Sequence, residues 1–226
     1  MKACPAIIAA LPREIKQLVR GWQKHALPGK VVVYTNDFAV AACAGMGSQR
    51  VTLAVQAALS MKRATALLSV GLAGACDPSL HVGDIVRAGV VVDTQSGERF
   101  YDPQHKTVLV SAPTIASVKE KQRLHASYSA SAVDMEAATV ARIALAHHLP
   151  FQAIKVISDD AAFELQELAR FATHDGRFRE AAFAAYSMTR PHLWNKLFQL
   201  AGNSKRALHA LTTELETQLN WYRQRD

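Results

Sequence analysis

The 226-residue sequence has no apolar run near the roughly 18 residues that a membrane-spanning helix needs. The first apolar stretch stops at Leu11-Pro12 without the long hydrophobic region of a signal peptide, so it is read as a buried strand. Only three cysteines occur, and no two of them form a CxxC pair: Cys4, Cys43 and Cys76. These absences argue against a disulfide-stabilised secreted protein and favour reduced thiols in the cytoplasm.

Motifs for several common chemistries are also missing. There is no GxxxxGK[ST] phosphate loop, and Gly45-Met46-Gly47 lacks the third glycine of a dinucleotide fingerprint. The nine histidines show no zinc spacing, and neither a serine nucleophile elbow nor a Cys–His pair is visible. We therefore expect no metal, no organic cofactor and no nucleic-acid partner.

What remains is the pattern of a folded α/β protein, since 50% of the residues are hydrophobic and 20% are charged. Strands are predicted at 6–10, 30–34, 38–44, 66–70, 85–92, 107–111 and 151–158, and helices at 13–25, 48–62 and 136–148. From about residue 162 the chain is predicted to be helical, with breaks at Arg190-Pro191 and Gly202-Asn203. The alternation favours one domain over 1–226, with a mainly parallel sheet covered on both faces.

Acidic residues stand at the ends of several predicted strands. Glu14 follows the first strand, Asp134 and Glu136 flank a turn into a helix, and Asp159 and Asp160 end the strand at 151–158. Each is compatible with helix capping. Because ligands of such folds bind at the carboxyl ends of the strands, the shared placement also predicts a site.

Lys155 is a charged residue inside a segment that otherwise reads as a buried strand. A buried ammonium is costly unless it is paired, so an acidic neighbour is expected. Strand alternation places Lys155 on the same face as Ile157 and Asp159. A structural ion pair and a role in the site both remain open.

The net charge of +7 is concentrated in one part of the chain. Residues 170–209 hold seven basic and two acidic side chains. Such a segment is typical of a solvated helix face, or it meets an anionic surface or substrate.

Four segments resemble the nucleoside phosphorylase and nucleosidase superfamily, in that family's order. They are AALPRE at 9–14, GLAGA at 71–75 with VGDIV at 82–86, VDMEA at 133–137 and VISD at 156–159. The resemblance is strongest to the nucleosidase branch typified by methylthioadenosine/S-adenosylhomocysteine nucleosidase. It implies a three-layer α/β/α nucleoside phosphorylase-like fold with a central mixed, mainly parallel sheet, and a purine nucleoside as substrate.

The resemblance also implies roles for individual residues. Asp159 would protonate the purine at N7, and Glu14 would activate the attacking water. Lys155 stands where the family usually has an arginine that helps to hold that water and glutamate. Glu136 would bind the ribose hydroxyls, with Met135 beside the sugar.

The base-binding residues are less regular. The resemblance places Ser158 and Ile115 at the base, but the loop at 111–115 lacks the aromatic ring on which nucleosidases stack the purine. Phe163 or Phe171 is the alternative source of that ring.

The identity of the nucleophile rests on departures from the phosphorylases. Those enzymes hold phosphate with an arginine and a Ser or Thr around the GxxG segment, where this chain has Ser69 and Leu72. Their GDP-type first turn is also absent, so water is favoured. A phosphorylase with an unusual anion site is the alternative, and the residues considered for it are Gly47, Ser48, Gly71 and Leu72, with Arg13 or Arg50 as cations.

The C-terminal part is more similar to hopanoid-associated phosphorylases, which implies a lipid-linked adenosine as an alternative substrate. The apolar residues of 193–200 would then contact a lipid or membrane surface, although core packing explains them as well. The family resemblance further implies a homo-oligomer, commonly a dimer. A non-catalytic nucleotide-binding protein is the remaining alternative.

Overall fold

A computed structural model describes residues 4–164 and 194–224, with side chains in the second range described from residue 201. The strands are β1 (Pro5–Ala9), β2 (Gln23–Leu27), β3 (Val31–Thr35), β4 (Val40–Cys43), β5 (Ala66–Ala75), β6 (Ile85–Asp93), β7 (Arg99–Tyr101), β8 (Thr107–Ser111), β9 (Ala132–Asp134) and β10 (Phe151–Asp159). The helices are α1 (Pro12–Ile15), α2 (Ser48–Met61), α3 (Val118–Tyr128), α4 (Ala137–Ala146) and α5 (Trp194–Gln224).

The strands form one mixed sheet that closes partly on itself. Strand β5 pairs with β1, β9 and β10, and β10 continues through β6 and β8 back to β9, which completes a five-stranded ring. Strands β4, β3 and β2 extend the sheet beyond β1. The sheet is mixed, as expected, but it is not mainly parallel, since among the described strands five pairings are parallel and five antiparallel.

Helices cover both faces of the extended part of the sheet. Helices α2 and α4 pack on one face, where Val55 and Val140 meet Ile8 of β1 in a shared core. Helix α5 packs on the other face, where Leu211 joins a core with Ile7. The expected three-layer α/β/α fold is therefore confirmed. The layers leave the carboxyl ends of β1, β5, β9 and β10 around one cavity.

The predicted helix at 13–25 is wrong. Helix α1 ends at Ile15, the chain then makes turns, and residues 23–27 form the edge strand β2 instead. Gly21 adopts a φ of 85°, which breaks a right-handed helix. The apolar residues of this segment are still buried, since Ile15, Leu18 and Trp22 all pack in one core with α5.

The predicted helix break at Gly202-Asn203 is also wrong, because α5 runs without interruption through both residues. A glycine inside a helix costs about 1 kcal/mol relative to alanine. Leu211, Leu215 and Leu219 recur at a spacing of four and are buried against the sheet, so tertiary packing offsets that cost.

Residues 165–193 lie outside the described part of the chain. The predicted break at Arg190-Pro191, the ring of Phe171 and most of the basic segment therefore stay predictions, as does a single domain over 1–226. No helix within the described ranges combines the length and apolarity that crossing a membrane requires.

Candidate active site

A cavity of about 170 Å³ lies where the carboxyl ends of the central strands meet. Four buried carboxylates belong to its lining: Glu14, Asp134, Glu136 and Asp159. They come from the turn after β1, the end of β9, the start of α4 and the end of β10. Buried acidic groups need hydrogen-bond partners or counter-charges. The partners of each carboxylate define what it is able to do.

Glu14 is fixed by two backbone N–H groups, one on each carboxylate oxygen. Leu11 donates to Oε2 over 2.8 Å, and Leu72 donates to Oε1 over 3.2 Å. The close approach of β5 requires Gly71, where a Cβ would lie 2.9 Å from Glu14 Oε1 and φ is 138°. Glu14 is therefore oriented toward the cavity, and no side-chain cation within residues 4–164 and 201–224 forms an ion pair with it, as a base for water would need.

Glu136 stands at the head of α4 and accepts a 2.8 Å hydrogen bond from the N–H of Gly47. Burial raises the pKa of Glu136 to about 7, although the Lys155 ammonium opposes that shift. Near neutral pH this carboxyl group therefore exchanges readily between its neutral and ionised forms. A group of this kind is suited to hydrogen bonding with sugar hydroxyls.

This pKa predicts a pH-dependent stability. Folded Glu136 keeps its proton up to about pH 7, whereas the ordinary glutamate value is 4.5. The folded state thus holds more protons between these values, and the free energy of unfolding falls as pH rises through that window. Glu136→Gln removes the effect. We expect its Tm to exceed that of the wild type by roughly 5 °C above pH 7.5 and to match it near pH 5.

The control for this experiment is Glu216→Gln, which changes an exposed glutamate on α5. Its Tm should follow that of the wild type at both pH values. A difference between Glu136→Gln and the wild type that is the same at pH 5 and pH 8 would contradict the argument.

Lys155 is paired with Asp134, as its burial predicted. Its Nζ lies 2.9 Å from Asp134 Oδ2 and 3.4 Å from the carbonyl oxygen of Val70. Burial lowers the pKa of Lys155, but the negative charges of Asp134 and Glu136 outweigh it and hold that pKa above the ordinary lysine value. Lys155 lies behind the cavity wall, outside the described lining. The proposed contact of Lys155 with water stays a prediction.

Asp134 also joins the sheet to helix α4. Its Oδ1 accepts a 2.6 Å bond from the Ser111 hydroxyl, and its Oδ2 accepts a 2.9 Å bond from the N–H of Ala137. The Ser111 oxygen in turn accepts from the N–H of Ala138. These bonds satisfy the first turn of α4 and thereby fix the adjacent Glu136 at the cavity.

Asp159 ends β10 at an irregularity in its pairing with β5. The Ser158 hydroxyl donates to Asp159 Oδ1 over 2.6 Å, and the ammonium of Lys121 lies 2.5 Å from Oδ2. Gly74 leaves room for this pair, because a Cβ there would meet Oδ2 at 2.9 Å and Lys121 Cε at 3.1 Å. Asp159 is thus a buried carboxylate with a buried cation beside it.

Lys121 is the site residue that the sequence interpretation missed. It belongs to α3, a helix that was not predicted, and it is fully buried. A signal was present, since Lys121 occupies the same face as Val118 and Leu124 at a spacing of three. A lysine on the apolar face of an amphipathic helix calls for an acidic partner.

The predicted site residues divide into two groups. Leu72, Ile115, Met135 and Ser158 line the cavity together with Glu14, Glu136 and Asp159. Among the residues that the structure describes, those that line this cavity do not include Phe163, Gly47, Ser48, Gly71 or Lys155. The carbonyl oxygen of Phe163 accepts a bond from Lys121 instead, so that residue contacts the site through its backbone.

Two of the predicted anion donors are engaged with carboxylates, whereas Arg13, a candidate cation for an anion site, lines the cavity. The N–H of Gly47 points to Glu136, and the N–H of Leu72 points to Glu14. Arg50 is held by the carbonyl oxygens of Ala44 and Gly29. An incoming phosphate would have to displace these bonds.

A larger cavity of about 260 Å³ lies between β10, β6 and α5. It shares no described lining residue with the carboxylate cavity, and its Arg87 is paired with Glu214 at 2.6 Å. We assign the chemistry to the smaller cavity because the buried carboxylates lie there. Within 4–164 and 194–224, no group of three or more His, Cys, Asp or Glu side chains is arranged to hold a metal ion.

Residues 6–118 and 96–190 match the family model described as the phosphorylase superfamily. The chain belongs to the phosphorylase superfamily. No curated protein sequence matches it significantly. Membership in this superfamily of enzymes agrees with a sheet whose carboxyl ends surround the carboxylate cavity.

Solved structures give the same fold at low identity. Helicobacter pylori 5′-methylthioadenosine/S-adenosylhomocysteine nucleosidase is 17% identical with a TM-score of 0.71, covering 96% of this chain and 98% of that one. Streptococcus pyogenes S-adenosylhomocysteine nucleosidase is 21% identical with a TM-score of 0.68, covering 96% and 97%. Helicobacter pylori futalosine hydrolase is 20% identical with a TM-score of 0.60, covering 69% and 89%.

Proposed function

We propose that this protein hydrolyses the N-glycosidic bond of an adenine nucleoside, with a substituent on the 5′ carbon of the ribose. The observation that carries the proposal is the convergence of Glu14, Glu136 and Asp159 on one cavity beside Met135. These three carboxylates match the needs of a reaction that passes through a cationic sugar. The solved relatives that are named as nucleosidases support the same reaction class.

The acid step is assigned to Asp159. Its carboxyl group delivers a proton to N7 of the purine while the bond between C1′ and N9 breaks. The bonding electron pair leaves with the base, which departs as neutral adenine. The ribose is left with oxocarbenium character, and the neighbouring carboxylates stabilise that developing positive charge.

The water step is assigned to Glu14. Its carboxylate accepts a proton from a water molecule as the oxygen of that water attacks C1′, which yields free ribose. Water is favoured over phosphate because the backbone donors near this position already bind Glu14 and Glu136. A phosphate dianion would also be repelled by the ionised carboxylates of the cavity.

The other residues that line the cavity are assigned to binding of the sugar and the base. Glu136 is placed to accept hydrogen bonds from ribose hydroxyls, with Met135 against the apolar side of the sugar. Ser158 and Ile115 are assigned to the base. The choice of adenine and of a 5′ substituent rests on the solved relatives, whose names refer to methylthioadenosine and S-adenosylhomocysteine.

The deciding experiment measures base release by the purified protein from adenosine, methylthioadenosine and inosine, with and without phosphate. We expect adenine and free ribose, or methylthioribose, in phosphate-free buffer. Release only with phosphate, with a sugar 1-phosphate as product, would establish phosphorolysis instead. No release from any of the three would direct the search to a lipid-linked adenosine or to a non-catalytic nucleotide-binding role.

Two further expectations accompany this proposal. We propose a homodimer, which light scattering of the purified protein tests directly, and a cytoplasmic location. Contact of the basic C-terminal part with a membrane surface is the alternative use of that segment, and sedimentation with anionic vesicles distinguishes it.

A further inference from the structure

Lys121 is a fully buried cation that the proposed mechanism does not yet use. Its Nζ donates to Asp159 Oδ2 over 2.5 Å, to the carbonyl oxygen of Asp160 over 2.9 Å and to that of Phe163 over 3.3 Å. Asp159 is the last residue of β10, and Asp160 and Phe163 lie in the segment that follows it. A buried ammonium is strongly disfavoured unless its partners are in place. Lys121 therefore ties helix α3 to the proposed acid.

Lys121 also lines the cavity, together with Asp159. The ammonium and the proposed acid thus share one wall of the substrate space. Gly74 permits this arrangement, since any side chain there would collide with both groups. The pair is part of the site and not a surface ion pair, because the Lys121 and Asp159 side chains are 0% and 4% exposed.

Both oxygens of Asp159 accept hydrogen bonds, Oδ1 from the Ser158 hydroxyl and Oδ2 from the Lys121 ammonium, so the proton shared by the pair lies on lysine. An ionised Asp159 has no proton to give to a purine. The proton for the leaving base must then come from the pair as a whole. Lysine is able to supply it, because a desolvated ammonium gives up its proton far more readily than a guanidinium does.

We propose that Lys121 is a positioning residue that holds Asp159 and supplies, through it, the proton that the departing purine takes up. The inference rests on the proposed function. As the bond between C1′ and N9 breaks, Asp159 passes a proton to N7 and receives one from Lys121. The base gains one proton, lysine becomes a neutral amine, and Asp159 is unchanged. Solvent restores the lysine proton after the products leave.

Other titratable groups lie near the pair. Glu136, in the same cavity, has a pKa raised by burial to about 7 and adds its own pH dependence to the wild type and to every Lys121 variant alike. Burial raises the pKa of Cys76 to about 12, so that thiol is neutral at physiological pH. Glu120 is paired with Arg123 at 2.7 Å. Glu164 accepts a bond from the N–H of Val118. Asp160 contributes a further carboxylate next to Asp159.

The test compares Lys121→Met with the wild type on two substrates. One is the purine nucleoside that the wild type cleaves best, and the other is 4-nitrophenyl β-D-riboside, whose leaving group departs as a stable anion without a proton. We expect kcat/KM for the purine nucleoside to fall by about 100-fold or more. The value for the nitrophenyl riboside should fall by less than about fivefold, because only the sugar chemistry is needed.

The matched control is Lys119→Met, which removes an exposed lysine from the same helix and should leave both substrates unaffected. Lys121→Arg keeps the positive charge but holds its proton too firmly to release it. We expect it to bind purine nucleosides with a KM near that of the wild type while its kcat stays low.

The pH profile gives a second readout. In Lys121→Met no ammonium is present to return a proton to Asp159, so that proton must come from solvent, where proton concentration rises as the pH is lowered. Purine release by this variant, expressed as a fraction of wild-type release at the same pH, should therefore recover as the pH is lowered from 8 toward 5, since titration of Glu136 affects both proteins alike.

The outcomes separate the two proposals. Equal losses on both substrates, or a pH profile like that of the wild type, would overturn the role of Lys121 and leave the proposed function intact. An inactive wild type on every nucleoside would overturn the proposed function, and this inference with it. A loss confined to purine substrates, with recovery at low pH, supports the inference.

Discussion

Replacing Asp159 by asparagine is expected to lower the rate of purine release about a thousandfold, within the range that general acids contribute. The amide keeps the size of the side chain and can still accept the hydrogen bond from Ser158. It cannot pass on a proton, so N7 of the base would leave unprotonated. Single-turnover release of adenine, followed by ultraviolet absorbance, measures this effect.

Two controls separate lost chemistry from lost folding. Asp159→Asn also removes the counter-charge of Lys121, which is buried, and a measured Tm shows how far the fold is affected. Turnover of 4-nitrophenyl β-D-riboside reports a folded site that needs no acid. Asp160→Asn changes the next residue, whose side chain lies outside the described lining of the cavity, and should remain active. If Asp159→Asn released purines as fast as Asp160→Asn, the assignment of the acid would be wrong.

The sequence was sufficient to locate most of the carboxylates. Glu14 and Asp159 follow predicted buried strands, Glu136 flanks a predicted turn into a helix, and the shared edge of the sheet brings the three together. The sequence predicted that Lys155 has an acidic partner, but not which acidic residue that partner is. Register between β9 and its neighbours decides that it is Asp134, and register depends on the folded sheet.

The residues that were missed depend on packing between distant segments. Lys121 reaches Asp159 across 38 positions, and only the packing of α3 against β8 in the folded sheet brings them together. The helix predicted at 13–25 failed for a related reason. Its apolar spacing suits a helix, but Ile15 and Leu18 are buried equally well by turns that pack against α5.

The glycine segments show a second limit of local patterns. Gly47 and Leu72 belong to the two glycine segments of the sequence, which made them candidates for an anion site. In the fold, each of these groups points to a carboxylate that comes from another element, Glu136 or Glu14. Glycine spacing predicts a close approach of backbone to ligand or side chain, but it does not say which of these occupies the space.

The largest effect on stability is expected at the pair of Lys155 and Asp134, whose side chains are 1% and 0% exposed. Asp134→Asn would leave the Lys155 ammonium buried without its counter-charge, at a cost of about 3 kcal/mol or more. The amide oxygen can keep the bonds from Lys155 and Ala137 at the Oδ2 position only if the N–H₂ group faces Ser111, whose hydroxyl must then accept a bond instead of donating one. We expect the Tm to fall by roughly 10 °C.

A double-mutant cycle separates this pairing from ordinary packing. Lys155→Met alone leaves the Asp134 carboxylate with its bonds from Ser111 and Ala137, so it should destabilise the protein less than Asp134→Asn does. Combining both changes removes the two charges together, and the double variant should unfold at a higher urea concentration than Asp134→Asn alone. Additive losses would mean that the two charges do not depend on each other. Strong coupling, in contrast, would identify the pair as the support that holds α4, and with it Glu136, at the cavity.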